Sequence, residues 1–133
     1  MKRLVIFSLS LCILIAACNK NLVNASLQNG EYKGTFTRMH PTARYVPSNV
    51  SLTITGNRFT GTSDKSSFPA ICSGSLTKKG NKLKVTNECM FTADFDWTYI
   101  FKGDFEYSIS GKEIKLIKNY SPGFYDVYTL QKY

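Results

Sequence analysis

The chain has 133 residues, a length that suits one domain, and a formal net charge of +8. It has one histidine and four cysteines. It contains neither a phosphate-binding glycine loop nor cysteines and histidines at metal-ligand spacing. The length therefore argues against two domains, and the composition predicts no cofactor and no metal site.

The first 17 residues are organised like a secretory signal. Lys2 and Arg3 precede an apolar run, residues 4–17, which is shorter than the roughly 20 apolar residues that a membrane-spanning helix needs. Loss of the two basic residues lowers the net charge from +8 to +6. For an exported protein, this charge favours anionic headgroups, envelope glycans or an acidic protein as partners over nucleic acid.

The run ends at Ile15-Ala16-Ala17-Cys18, which resembles the bacterial lipobox. The resemblance implies diacylation of the Cys18 thiol, cleavage before it and acylation of the new amine; the alternative is an ordinary signal followed by a chance cysteine. Buried acyl chains, at about 0.8 kcal/mol per CH₂, would anchor the protein in the bacterial cell envelope, at the outer membrane. Residues 18–29 are polar and aperiodic and predict a flexible tether before a domain at residues 30–133.

Short alternating runs of apolar and polar residues, separated by glycine and proline, predict an all-β domain. The runs indicate an antiparallel up-and-down meander of eight to ten strands, forming a barrel or a sandwich. The nine strands assigned, A to I, are residues 31–38, 49–55, 58–63, 72–79, 82–89, 94–101, 105–110, 113–118 and 124–132.

Strands D and E form the hairpin with the best-specified register. A type II′ turn at Gly80-Asn81 places Leu76 opposite Val85 and Cys72 opposite Cys89. Counted outward from the turn, Cys72 and Cys89 form a non-hydrogen-bonded pair, in which the Cα atoms lie roughly 4.5 Å apart, within disulfide range.

The cysteine count supports this pairing. Cys12 leaves with the signal and Cys18 carries lipid, so Cys72 and Cys89 remain as an even pair in an exported chain. We expect a disulfide; the alternative is two buried free thiols.

Strand F is expected to be the aromatic centre of the core, because every second residue from Phe95 is aromatic. A three-residue loop, residues 102–104, then sets Phe101 opposite Phe105 and Tyr99 opposite Tyr107. The predicted barrel interior comprises Trp97, Tyr99, Phe101, Phe105 and Tyr107.

A resemblance to small bacterial lipocalin-like (calycin-type) domains is carried by four segments: Trp97-Thr98-Tyr99-Ile100-Phe101-Lys102-Gly103, Glu106-Tyr107-Ser108-Ile109, Ile114-Lys115-Leu116 and Tyr128-Thr129-Leu130. The opening Gly30-Glu31-Tyr32 is similar to the lipocalin opening, with Tyr32 where Trp is usual. The resemblance spans roughly residues 27–132. It implies a lipocalin-like β-barrel with a lumen for an apolar ligand, and it implies no catalytic residues.

A meander places alternate connections at opposite ends. The long loops, including residues 39–49 and 64–71, are expected at one end, and the tight turns at Gly56, Gly80 and Gly103 at the other. This predicts one open mouth, whose candidate ligand-binding residues are His40, Arg44, Tyr45, Phe68 and Phe91.

The other end is expected to be basic and to face the membrane, or else to be charged for solubility only. Its predicted turn residues are Arg58, Lys79, Lys82 and Lys102. Nine antiparallel strands would leave A and I parallel at closure. The alternatives are a missed strand near residues 44–46, a bulge at residues 102–104, or an open barrel.

Two functions fit these features. The first is a lipid-anchored barrel that binds a small apolar or amphipathic molecule; the second is an envelope protein-interaction or inhibitor module with a filled core and no small-molecule ligand. An enzyme is not expected. His40 precedes Pro41 in a loop, so it is expected to face solvent rather than act as a base. Asp94 and Asp96 share one strand face but have no third metal ligand, which predicts a solvated outer face.

Overall fold

The structure is a computed structural model that describes residues 26–133, and it is a closed barrel of eight antiparallel strands. The strands are β1 (Gly30–Met39), β2 (Ser48–Thr55), β3 (Arg58–Ser63), β4 (Ser73–Lys79), β5 (Lys82–Asn87), β6 (Gly103–Ser110), β7 (Glu113–Ser121) and β8 (Phe124–Lys132). Each strand pairs with its sequence neighbours, and β8 pairs with β1. The predicted up-and-down barrel is confirmed, whereas the signal and Cys18 lie outside the described residues.

Three two-residue turns close one end of the barrel. Their first residues, Gly56, Gly80 and Gly111, have φ angles of +60°, +61° and +60°, which glycine adopts without a Cβ clash. Among residues 26–133, Ser67 is the one non-glycine residue with positive φ. The second residue of each turn therefore has negative φ, and all three turns are type II′.

The hairpin registers follow the alternation of the sequence. Leu76 pairs with Val85, as predicted, and the predicted disulfide between Cys72 and Cys89 is present. The Cα atoms of the two cysteines are 6.2 Å apart, farther than the roughly 4.5 Å of a regular non-hydrogen-bonded pair. The separation is larger because both cysteines lie just outside β4 and β5.

The prediction of strand F is wrong. Trp97–Tyr99 forms a 3-10 helix whose N-cap, Asp96, accepts a hydrogen bond from the Thr98 N–H over 2.8 Å. The backbone then bonds to the 64–72 loop rather than to a neighbouring strand, through contacts of 3.0 Å on both sides of Ala70. Eight strands remain, an even number, so the first and last strands close the barrel antiparallel.

Aromatic side chains fill the barrel interior. Phe36, Phe59, Phe101, Phe105 and Tyr128 are each at most 2 % exposed. The Phe101 ring centroid lies 5.3, 5.2 and 5.0 Å from those of Phe59, Phe105 and Tyr128, separations typical of favourable aromatic pairs. Phe101 thus enters the core from a loop, without the strand pairing predicted for it.

Candidate functional site

The two ends of the barrel differ in the length of their connections. The open end carries residues 40–47, 64–72 and 88–102 and the tight turn before β8. The closed end carries the three type II′ turns. Lys102 and Gly103, predicted at the closed end, lie at the open end instead, because the segment before them is not a strand.

Residues 26–29, which the sequence assigns to the flexible tether, lie against the closed end. Leu27 packs on the core. The Gln28 carbonyl accepts a 2.7 Å hydrogen bond from the Tyr32 hydroxyl, and its amide oxygen accepts one of 2.7 Å from Lys132. The chain therefore enters the barrel at a fixed place on the closed end.

A buried ion pair lies beneath the open end. Arg38 and Asp126 are register partners on β1 and β8 and are 3 % and 2 % exposed. Arg38 donates from Nε and Nη2 to the two carboxylate oxygens over 2.7 and 2.8 Å, a bidentate geometry. Burial opposes the guanidinium charge, but the Asp126 carboxylate outweighs burial and raises the pKa of Arg38.

The same guanidinium binds the 88–102 loop. Arg38 Nη1 donates to Thr98 Oγ1 over 2.9 Å, and Nη2 lies 3.3 Å from the Thr98 carbonyl oxygen. Its plane also lies over the Tyr99 ring, 3.9 Å from the centroid. The Tyr120 hydroxyl lies 3.0 Å from the Thr98 carbonyl and 2.8 Å from Asp126 Oδ2. Groups of the barrel therefore hold this loop at Thr98 and Tyr99.

Burial shifts the pKa of two side chains near the buried ion pair, Tyr120 and Lys118. Burial, and then the Asp126 carboxylate, raise the pKa of Tyr120 well above its ordinary value of 10.0. Burial lowers the pKa of Lys118, which donates a 2.8 Å hydrogen bond to the Lys102 carbonyl. At neutral pH, Tyr120 keeps the proton that it donates to this network.

The 88–102 loop presents apolar side chains to solvent. Met90 is 99 % exposed and Trp97 is 49 % exposed. With Phe91 and Ile100, they line a groove of about 310 Å³ at the open end. Large apolar side chains grouped around a groove are typical of binding surfaces.

Further bonds hold the two ends of this loop. The disulfide joins Cys89 to Cys72. Ala70 of the neighbouring loop donates to the Tyr99 carbonyl and accepts from the Phe101 N–H, each over 3.0 Å. The exposed side chains therefore sit on a loop whose backbone is bonded at several points.

All five predicted mouth residues lie in open-end loops, but the structure separates them. Tyr45 stacks on Phe68 with ring centroids 6.0 Å apart, and Phe68 packs against the core. Phe91 lies in the groove. His40 packs on an aromatic ring of β8, and Arg44 is exposed. His40, Arg44 and Tyr45 line one cleft of about 460 Å³, and Phe68 and Phe91 lie outside it.

The predicted interior residues also divide. Phe101 and Phe105 are buried, and Tyr99 and Tyr107 pack partly buried against the core. The placement of Trp97 in the interior is wrong: the 3-10 turn ends the alternation, and Trp97 is exposed.

The network of Arg38, Asp126, Thr98 and Tyr120 is absent from the sequence-based prediction. Arg38 carried a signal, since it continues the inward alternation of strand A. Asp126 gives no such signal, because the sequence of residues 124–132 does not show which face of strand I points inward. Tyr120 lies beyond residue 118, the predicted end of strand H, whereas β7 extends to Ser121.

Charge is unevenly distributed between the ends. The open-end loop 88–102 carries Glu88, Asp94, Asp96 and one cation, Lys102. Exposed lysines of the closed end are Lys78, Lys79, Lys82 and Lys112. Arg58, predicted to be a basic turn residue, is paired with Glu88 through two 2.6 Å hydrogen bonds.

Within residues 26–133, no helix is long and apolar enough to cross a membrane, and no three His, Cys, Asp or Glu side chains group as metal ligands. Comparisons of the chain with family models, curated proteins and solved structures find no match. The inference of function therefore rests on the geometry of the two ends.

Proposed function

We propose that this protein is a lipid-anchored, non-catalytic module of the bacterial envelope that binds another protein through its 88–102 loop. The exposure of Met90 and Trp97 beside the groove, on a loop held at Cys89 and at Thr98, carries the proposal. Trp is enriched among the residues that dominate binding energy. A loop that is already ordered loses little conformational entropy on binding.

Local charge indicates the chemistry of the partner. The loop carries Glu88, Asp94, Asp96 and Lys102. Glu88 is paired with Arg58 over 2.6 Å and Asp96 lies 3.7 Å from Arg38, so the charges of Asp94 and Lys102 that remain are balanced. The net charge of the whole protein argues against a basic partner, and the balanced charge of the loop favours an apolar contact.

A small apolar ligand inside the barrel is less well supported. The lipocalin-like kinship is a proposal that the eight-stranded up-and-down barrel supports. However, a ligand in the lumen would have to displace packed aromatic side chains, including Phe36, Phe101 and Tyr128. The filled interior favours the protein-binding function.

Photo-crosslinking in cells tests the proposal. A crosslinking amino acid replaces Met90 in the full-length protein, and a control replaces Thr53, which is exposed on the outer face of β2. We expect a discrete adduct with an envelope protein from position 90 only, weakened by Trp97→Ala. Equal adducts from both positions, or none from position 90, would contradict the proposal.

A further inference from the structure

The tip of the β4–β5 hairpin concentrates positive charge at the closed end. Lys79 and Lys82 are register partners on either side of the Gly80-Asn81 turn, and Lys78 precedes them. All three are exposed. Opposed like charges destabilise a strand pair, so the pairing of Lys79 with Lys82 does not stabilise the hairpin.

The tip is also held in place. The Tyr107 hydroxyl donates to the Gly80 carbonyl over 3.1 Å, and the backbone N–H of Tyr107 donates to the Asn81 carbonyl over 2.9 Å. The Lys78 ammonium lies 5.4 Å from the Tyr107 ring centroid. The lysines therefore project from a fixed backbone.

The described acids of the closed end form no ion pair with these lysines. None of the ion pairs within residues 26–133 includes a tip lysine. Glu31 pairs with Lys33 over 3.0 Å, and Glu113 accepts a hydrogen bond from Gln131. Glu106, the register partner of Lys82 on β6, forms no ion pair with it. The tip lysines are thus available to an anion outside the barrel.

The chain enters at this same end. Ser26 lines the same small cleft as Gly111 and Lys112 of the β6–β7 turn. Cys18 precedes Ser26 by eight residues, a length that spans at most about 28 Å. A lipid on Cys18 would therefore tether the protein by its closed end, but a tether of this length does not by itself hold the open end off the membrane.

We infer that the closed end docks on anionic lipid headgroups through the hairpin-tip lysines, and so turns the 88–102 loop away from the membrane. This inference rests on the lipid anchor of the proposed function. Lysines near an anionic leaflet are attracted to its surface potential. β1 has ten residues, so strand rise and tilt separate the two ends by about 25 Å. Docking thus gives the loop a defined height above the bilayer.

The single tryptophan of the chain provides the measurement. Trp97 lies in the open-end loop, so energy transfer from it to a dansyl-labelled headgroup reports how far this loop stands from the bilayer. The full-length lipidated protein is incorporated into vesicles of phosphatidylcholine, with or without phosphatidylglycerol, and flotation checks that the anchor holds it there.

We expect weaker transfer from Trp97 on the anionic vesicles, because docking holds the loop far from the surface. Lys79→Glu/Lys82→Glu should raise the transfer to its value on neutral vesicles, as should high salt. The control, Lys84→Glu/Lys115→Glu, makes the same change of charge at exposed positions on the outer sheet and should leave the transfer unchanged.

Equal transfer on both vesicles, or equal effects of the two variants, would overturn the inference; so would tight binding to a soluble polyanion without a change of orientation. Failure to float on neutral vesicles would instead refute the anchor. Docking would then still be tested by flotation of the protein with anionic vesicles. Lys79→Glu/Lys82→Glu should weaken this binding at least about tenfold.

Discussion

The two ends of this barrel are held by different interactions. The closed end consists of three two-residue turns, whose conformation follows from glycine at one position in each. The open end is held by residues far apart in sequence: Phe101 in the core, Arg38 and Asp126 beneath the 88–102 loop, and the disulfide at its base. The surface that we propose for binding therefore depends on long-range contacts, and single substitutions can remove them.

The largest effect should come from Phe101→Ala, which empties the centre of the aromatic core. Loss of a buried phenylalanine costs up to about 5 kcal/mol of unfolding free energy. Trp97→Ala, in the same loop but exposed, should change it by less than about 0.5 kcal/mol. Urea denaturation compares the two variants, and similar losses would show that the loop does not contribute to the core in the way described.

Asp126→Leu should cost about 3 kcal/mol, because Arg38 then stays buried without its carboxylate. Arg38→Met/Asp126→Leu should recover most of that loss, since no charge remains buried. Hydrogen exchange at residues 96–101 should rise in both variants, because Thr98 loses its guanidinium donor or the salt bridge that orients it. Unchanged exchange would contradict the role of this network in fixing the loop.

Cys72→Ser/Cys89→Ser should lower the unfolding free energy by roughly 3 kcal/mol, the value expected from chain entropy for a loop of this size. The sequence separation is 17 residues. In the remaining fold, exchange should increase in residues 88–95 and not in the closed-end turns. A uniform increase would indicate that the disulfide stabilises both ends alike.

Gly80→Ala should cost about 1 kcal/mol at the closed end. A Cβ there would meet no atom within 4 Å, so the loss comes only from the positive φ. Asn81→Ala, at the next turn position, should cost less. A loss of several kcal/mol would show that the turn carries tertiary contacts, which would weaken the contrast between the ends.

Alkaline pH should have the smallest effect and should act through the interior. Burial raises the pKa of Tyr128 well above its ordinary value of 10.0, so the folded state binds this proton more tightly than the unfolded state. The resulting stability is complete below pH 10 and is lost as the pH rises toward the folded-state pKa. Unfolding free energy measured from neutral to about pH 11 should fall less steeply in Tyr128→Phe.

The closed-end turns at Gly56 and Gly80 could be predicted from sequence, because glycine turns and strand alternation are local. The third closed-end turn is at Gly111, and not at Gly103 as predicted, because the segment before Gly103 is not a strand. The register of β4 and β5, with Leu76 opposite Val85, needed only the Gly80-Asn81 turn. The prediction for residues 94–101 is wrong because alternating aromatic and polar residues are typical of a strand, whereas here the Asp96 side chain caps a 3-10 turn that ends the alternation. The Arg38–Asp126 pair needed the parity of β8, which only closure of the barrel fixes.

The central claim is that the barrel is filled by its own side chains and acts through the open-end loop. Native mass spectrometry of the purified mature protein, before and after organic extraction, tests it most directly. We predict the mass of the protein and its lipid anchor alone, unchanged by added fatty acids. A further bound mass that extraction removes would contradict the claim and would establish a ligand within the barrel.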